Sequence, residues 1–331
     1  MGKVIYLLGA GSSFGTKDNN GKRTHGVPVI CEFAEEVANS MTWLRENFSK
    51  EVYEPFIKEL SHLHSICVQY PTVDTYAKML FATHNDREYL RLKNIISIFL
   101  TLVQLQYLHD PRYDGWIASI TDNEGFFPNN VSVLSWNYDA QLELAYHSYQ
   151  PQSSLAKLWK SMNVLNKSYV SERPTNIFSV VKLNGIAFYH LDIGVPNGLL
   201  DMLITSTPTE NVRMLAQQLP LHTDSNIINE LSYVWEKRTD ENFFLPMLMD
   251  IIRPADVLVV IGYSFPFVNR GMDNFILSNM PSLKKVYIQD VHANNIIEII
   301  KERKGFLNRD IQFVPINNVS QFFIPAEIDD L

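Results

Sequence analysis

Short apolar runs set far apart along the chain constrain its fold more than any other feature. Residues 4–9, 131–136, 178–183, 257–263 and 285–289 are each rich in Val, Ile or Leu and end in small or polar residues. A weaker sixth run covers residues 311–316. Continuous rather than alternating apolar runs fit strands covered on both faces, as in a parallel sheet. Helical patterns lie between them, over residues 28–45, over 72–108 and over 211–250, the last with breaks at Pro220 and Pro246. Strands alternating with helices predict an α/β fold, a Rossmann-like doubly wound parallel sheet. A simple crossover needs about 30 residues. The first gap of about 120 residues and the later one of about 70 therefore imply large helical insertions, about 31–118 and about 205–250. No repeat, low-complexity tract or Gly/Ser linker divides the chain, so residues 1–331 are read as one domain.

Composition narrows the chemistry. A net charge of −8 argues against nucleic acid as a partner. The most apolar helical stretch, residues 94–108, carries Ser97, Thr101, Gln104 and Gln106 and is shorter than a membrane span. It reads as a buried helix, with no membrane association. The first strand pattern starts at once after Met1, with no signal peptide before it, so a cytoplasmic location is expected. Cys31 and Cys67 are the only cysteines and read as buried or half-buried free thiols. They cannot build a four-thiolate zinc site, so no zinc or other metal is expected. His62 and His64 lack a third ligand at suitable spacing. Lys301, Arg303, Lys304 and Arg309 read as a solvated helix end, and Trp116, Trp159, Trp235, Tyr107 and Tyr113 as core or interface.

The candidate chemistry lies at the strand ends, where open α/β sheets bind ligands. The first strand runs into Gly9-Ala10-Gly11-Ser12-Ser13-Phe14-Gly15, a turn whose backbone N–H groups suit a phosphate. Its spacing is G-x-G-x-x-x-G rather than the dinucleotide fingerprint, and Glu32, Glu35 and Glu36 are all open as the acid that usually follows. A merely tight strand-to-helix turn is the alternative. The second strand ends in Trp136-Asn137-Tyr138-Asp139; Asn137 offers a donor and an acceptor, while Asp139 is open between a site role and a helix cap. Lys182-Leu183-Asn184-Gly185, Gly262-Tyr263-Ser264 and Gln289-Asp290 end the next three strands.

In this order the motifs resemble those of the sirtuin-like NAD-binding family, and more closely the bacterial sirtuin-like proteins that hydrolyse NAD in anti-phage defence. The carrying segments are Gly9–Ser13, Gly26-Val27-Pro28, Asn137-Tyr138-Asp139, Lys182-Leu183-Asn184-Gly185, Gly262-Tyr263-Ser264 and Asp290. The resemblance implies that Gly9, Ala10, Gly11, Ser12, Ser13, Pro28, Asn137, Gly262, Tyr263, Ser264 and Asp290 contact NAD. It also implies that Asn137, Asn184 and Asp139 attend the reacting ribose. NAD would be substrate or ligand, and NAD or ADP-ribose the small-molecule partner; a homo-oligomer or a defence-system protein would be the macromolecular one. Two departures stand out. The family's deacylases carry four zinc-binding cysteines that are missing here, which disfavours zinc-dependent protein deacylation. Asn184 occupies the position of the family's histidine, and a carboxamide cannot take up a proton near neutral pH. His190, six residues after Asn184, His147, eight after Asp139, and His25, beside Gly26, are the histidines that could replace it.

Two functions follow. One is an NAD glycohydrolase that releases nicotinamide and ADP-ribose. The other is a catalytically weak or inactive sensor or interaction module that binds NAD or ADP-ribose without turnover. A dehydrogenase is disfavoured by the altered glycine spacing.

Overall fold

The computed structural model describes residues 3–151, 153–166, 177–191, 203–204, 207–219, 227–236, 241–307 and 309–328. The central sheet has seven strands, all parallel, in the order β3-β4-β2-β1-β7-β8-β9. These are β1 (Lys3–Leu8), β2 (Val131–Ser135), β3 (Val164–Leu165), β4 (Ser179–Lys182), β7 (Ala255–Ile261), β8 (Lys285–Gln289) and β9 (Gln312–Ile316). All six apolar runs form strands of this sheet, so the fold class is the one the sequence predicts. β1 lies at the centre with every residue buried. It pairs with β2 on one side and β7 on the other, so the chain reverses direction across the sheet there. That switch point is where such sheets open a ligand crevice.

Successive side chains of a strand point to opposite faces, and both faces are covered. Val4, Tyr6 and Leu8 join a core built with α1 (Phe33–Asn47), α2 (Lys50–Gln69), α3 (Val73–Ala82), α4 (Asp86–Gln106), α5 (Pro111–Ile120), α6 (Gln141–Tyr149), α7 (Leu155–Ser161) and α8 (Pro208–Gln218). Ile5 and Leu7 face α9 (Glu241–Ile252), α10 (Arg270–Ser278) and α11 (Ala293–Lys301). The first insertion thus adds its helices to one face only. Its most apolar helix, α4, buries every residue from Leu92 to Val103, which explains an oily stretch too short to cross a membrane. Among the described residues no helix is long and apolar enough to do so.

Three expectations need correction. Residues 211–250 are not helical throughout. β6 (Ile227–Leu231) pairs antiparallel with β5 (Gly185–Leu191) in a separate two-stranded sheet. Asn229 Nδ2 donates to Asn94 Oδ1 at 2.7 Å, which ties β6 to α4. Pro246 lies inside α9 rather than ending it, and burial of Phe244, Met247, Leu248 and Ile251 offsets the lost backbone bond. Pro220 lies outside the described residues. The basic cluster is only partly solvated. Arg303 is buried with Nη2 donating to Phe265 O at 2.6 Å, and Arg309 Nη1 donates to Leu277 O at 2.9 Å near the end of α10. Cys31 is exposed and Cys67 half-buried, so only the second matches the expected burial.

Two glycine turns meet at the switch point. Gly262 has φ +59°, and a Cβ there would lie 2.5 Å from Gly11 Cα. Gly11 N donates to Gly262 O at 3.0 Å, so two backbones touch where side chains normally separate them. Gly262→Ala should therefore destabilise the protein by about 2–3 kcal/mol, by backbone strain plus steric overlap. Gly271→Ala, in open space on α10, should be neutral or stabilising by about 0.5 kcal/mol. Urea unfolding of both variants checks the pair; equal effects would contradict the contact's importance.

Candidate functional site

A cavity of about 520 Å³ lies at the carboxyl ends of β1, β2, β4 and β7. Ala10, Asn137, Asp139, Asn184, Gly262, Tyr263 and Ser264 line it from the sheet edge. Val27, Pro28, Ile30, Phe33 and Leu100 form an apolar wall. The start of α3 closes the cavity with Thr72, Asp74, Thr75 and Lys78, and Pro266, Phe267 and Val268 form its outer lip. The volume is in the range of small-molecule and cofactor sites.

Asn137 is the most firmly held side chain. Its Nδ2 donates to Ser12 Oγ and Ser13 Oγ, each at 3.0 Å. Ser12 Oγ in turn donates to Gly9 O at 2.8 Å, and both serine hydroxyls lie 3.1 Å from Tyr113 OH. With the Ser12 hydrogen committed to Gly9 O, its oxygen can only accept, so the carboxamide presents its NH2 inward. Asn137 Oδ1 has no protein partner among the described residues and is the group left for a ligand.

Asn184 is buried directly after β4. Its Nδ2 donates to Trp136 O at 3.4 Å, and its Oδ1 has no hydrogen-bond partner among the described residues. Gly185 fixes the turn that follows, with φ +68° and the hypothetical Cβ only 1.9 Å from Glu230 O. Lys182, on the same segment, is buried and pairs with Glu143 of α6 at 2.8 Å, locking β4 against α6. Its Nζ also donates to Asp139 O at 3.1 Å. Asp139 Oδ1 accepts from Gln141 N at 3.0 Å just before α6, and the residue also lines the cavity. Burial raises the Asp139 carboxyl above its ordinary value, against the pull of Lys182.

The other sequence candidates fall around this centre. Of the segment 9–13, only Ala10 lines the cavity; Gly9 N donates to Ile261 O, Gly11 N to Gly262 O and Ser12 N to Gly9 O. Those three amides hold the turn itself. Ser12 and Ser13 act behind Asn137. Asp290 is not among the lining residues; its Oδ1 accepts from His292 N at 2.8 Å just before α11. Glu32 pairs with Lys17 and Arg23, and Glu36 with Arg23 at 3.1 Å, so both acids hold the loop that carries Arg23. His25 bonds Thr16 Oγ1 through Nδ1 at 2.9 Å and does not line the cavity, nor does His147. His190 lies on β5, and its side chain lies outside the described residues. His62 pairs with Glu88 at 2.5 Å.

Sequence reasoning missed Asp74, Thr72, Thr75 and Lys78, which reach the site from the insertion. It also read Tyr113 as core, although its hydroxyl organises the serine pair. The Thr72-Val73-Asp74-Thr75 start of α3 carries a helix-cap signal, Thr72 Oγ1 accepting from Thr75 N at 3.1 Å, but nothing in it tells where the helix docks.

Beneath the cavity, Tyr263 OH donates to the buried Asp273 carboxylate at 3.0 Å, and Asn269 Nδ2 donates to Tyr263 OH at 3.1 Å. The Tyr263 ring stacks on Trp136, 5.8 Å between centroids. Phe265 adopts φ +53° between Gly262 and Pro266, so this turn is held in an unusual backbone shape by its burial and by Arg303.

No protein-family model matches the chain, and no curated protein matches it.

Burial raises Asp273 to about 7. The folded chain therefore keeps a proton that an ordinary carboxyl, near 3.9, releases when unfolded. Stability should fall as pH rises from about 4 to about 7 and stay level above that. The ceiling on this loss is about 4 kcal/mol, three pKa units at about 1.4 kcal/mol each. Asp273→Asn should flatten much of this decline when thermal midpoints are compared at pH 5 and pH 8. An unchanged slope would contradict the burial of an ionisable carboxyl there.

Proposed function

We propose that this cavity binds NAD and that the protein is a sirtuin-like NAD glycohydrolase, releasing nicotinamide and ADP-ribose. The carrying observation is the pair of carboxamide oxygens, Asn137 Oδ1 and Asn184 Oδ1, with no protein hydrogen-bond partner among the described residues of a cavity at the switch point of a parallel sheet. Both are acceptors and call for hydroxyl or water donors; Asn184 Oδ1 is enclosed by protein, so Asn137 Oδ1 is the one that a ligand meets first. A ribose with its attacking water supplies such donors. The acceptors and the Asp74 carboxylate also favour the positive charge that spreads from a pyridinium leaving group to an oxocarbenium-like ribose in the transition state. The hydroxyls of Thr72, Thr75 and Ser264 and the Lys78 ammonium offer the donors that a pyrophosphate needs, and the apolar wall suits a base ring.

The chemistry is cleavage of the bond between nicotinamide and ribose C1′, with water as acceptor. Asn137, held by two serines and a tyrosine, orients the ribose or the water without reorganising during the reaction. A second reading draws support from the side chains at hand: among the described residues no histidine lines the cavity, and Asn184 cannot take up a proton. On that reading the chain senses NAD or ADP-ribose and passes that state to a partner or oligomer, whereas a role in anti-phage defence belongs to the hydrolase proposal.

Incubation with NAD while nicotinamide release is followed separates the two. The hydrolase reading expects release by the wild type and a loss of about 10²-fold or more in Asn137→Ala, as for removal of an oriented polar group in an active site. Saturable NAD binding with no release would favour the sensor, and neither binding nor release would refute both.

A further inference from the structure

We propose that Asp74, carried by the helical insertion and not by the sheet, is a catalytic residue of this site: it accepts the proton from the water that attacks ribose C1′. The inference rests on the hydrolase reading above and names the base which that reading lacks.

Asp74 lines the cavity together with Asn137, Tyr138 and Asn184. Its Oδ1 accepts a hydrogen bond from Tyr138 OH at 3.1 Å, and Tyr138 is the chain neighbour of Asn137. Its Oδ2 has no partner among the described residues. The other cavity groups are unsuited to the task. Asn137 and Asn184 do not titrate near neutral pH. Asp139 is committed to Gln141 N and lies beside Lys182. Tyr263 donates to Asp273, and the Lys78 ammonium lies over the rings of Trp235 and Phe81 at 5.0 and 5.4 Å. Asp139 thus has a lysine, a backbone N–H and the Ser13 hydroxyl around it, whereas Asp74 is the cavity carboxylate held by a single hydrogen bond, from Tyr138.

Burial raises Asp74 to about 6, against the hydrogen bond from Tyr138. Such a group is ionised at neutral pH yet basic enough to draw a proton as the water attacks. The titratable and charged groups around it are Tyr138 after β2, Tyr233 after β6, Tyr89 of α4 with its bonded Glu236, and Lys78 one turn along α3. Burial holds Tyr138, Tyr233 and Tyr89 far above neutral pH, so they remain uncharged while Asp74 titrates.

The water oxygen bonds to C1′ as one of its protons passes to Asp74. The C1′–N bond breaks with its electron pair passing to the pyridinium nitrogen, so nicotinamide leaves neutral. Asp74 then returns the proton to solvent, leaving ADP-ribose.

The test is the pH profile of nicotinamide release from NAD by wild type, Asp74→Asn and Tyr138→Phe, with ADP-ribose affinity measured for each. The wild-type rate should fall as pH drops through about 6, because a protonated carboxyl accepts nothing. Asp74→Asn should be slower by about 10²–10⁴-fold, lose this acid limb and keep its ADP-ribose affinity within about threefold. Tyr138→Phe removes the bond that favours the ionised carboxylate, so its acid limb should move to higher pH. Release by wild type with Asp74→Asn within about threefold of it would overturn Asp74 as the base and leave the hydrolase reading intact. No release by wild type at any pH would overturn the hydrolase reading and this inference with it.

Discussion

The contact between two glycine turns, Gly11 against Gly262, is the constraint on which the rest of this site depends. It joins the ends of β1 and β7, the adjacent strands between which the chain changes direction. A side chain on either residue would force the turns apart. With both glycines in place, the turn after β1 closes on itself through Ser12 N and Gly9 O, and its two serine side chains point toward the end of β2. The glycine-rich segment therefore does structural work before any ligand arrives. It positions Ser12 and Ser13, which position Asn137.

From that point the electrostatics follow. The sheet edge presents acceptors whose partners have been used up on the inner side: Asn137 spends its NH2 on serines, and Asn184 spends its own on a backbone carbonyl. Asn184 Oδ1 is a buried carbonyl oxygen without a partner among the described residues, which is costly, on the order of 1–3 kcal/mol. On the proposed reading a bound ligand relieves such a cost. The insertion then adds a carboxylate, hydroxyls and a cation from α3 over a site whose floor belongs to the sheet. The sheet edge and the helical insertion thus contribute different halves of one cavity.

The fold was largely legible in the sequence because buried parallel strands are written as continuous apolar runs. The shortest strand, β3, has two residues and no run to read, and β5 and β6 mix polar residues such as His190 and Asn229 into strands of a small second sheet. For the site, the strand-end motifs located Asn137, Asp139, Asn184 and the turn from Gly262 to Ser264 correctly on one edge. What the sequence could not show was which backbone amides of residues 9–13 are consumed by the fold. Nor could it show that Asp74, more than 60 residues from Asn137 along the chain, packs against Tyr138. Both depend on tertiary docking: the approach of β7 in one case and of α3 in the other. Asp290 is a polar strand-end residue in the expected place that does not line this cavity, its side chain meeting the start of α11.

The claim at the centre is that this cavity is a nucleotide site. Calorimetric titration of the wild type with ADP-ribose, which lacks the reacting bond and so reports binding alone, tests it most directly. Saturable binding at one site per chain is the predicted result. Absence of binding at millimolar ADP-ribose, together with absence of binding of NAD, would contradict it.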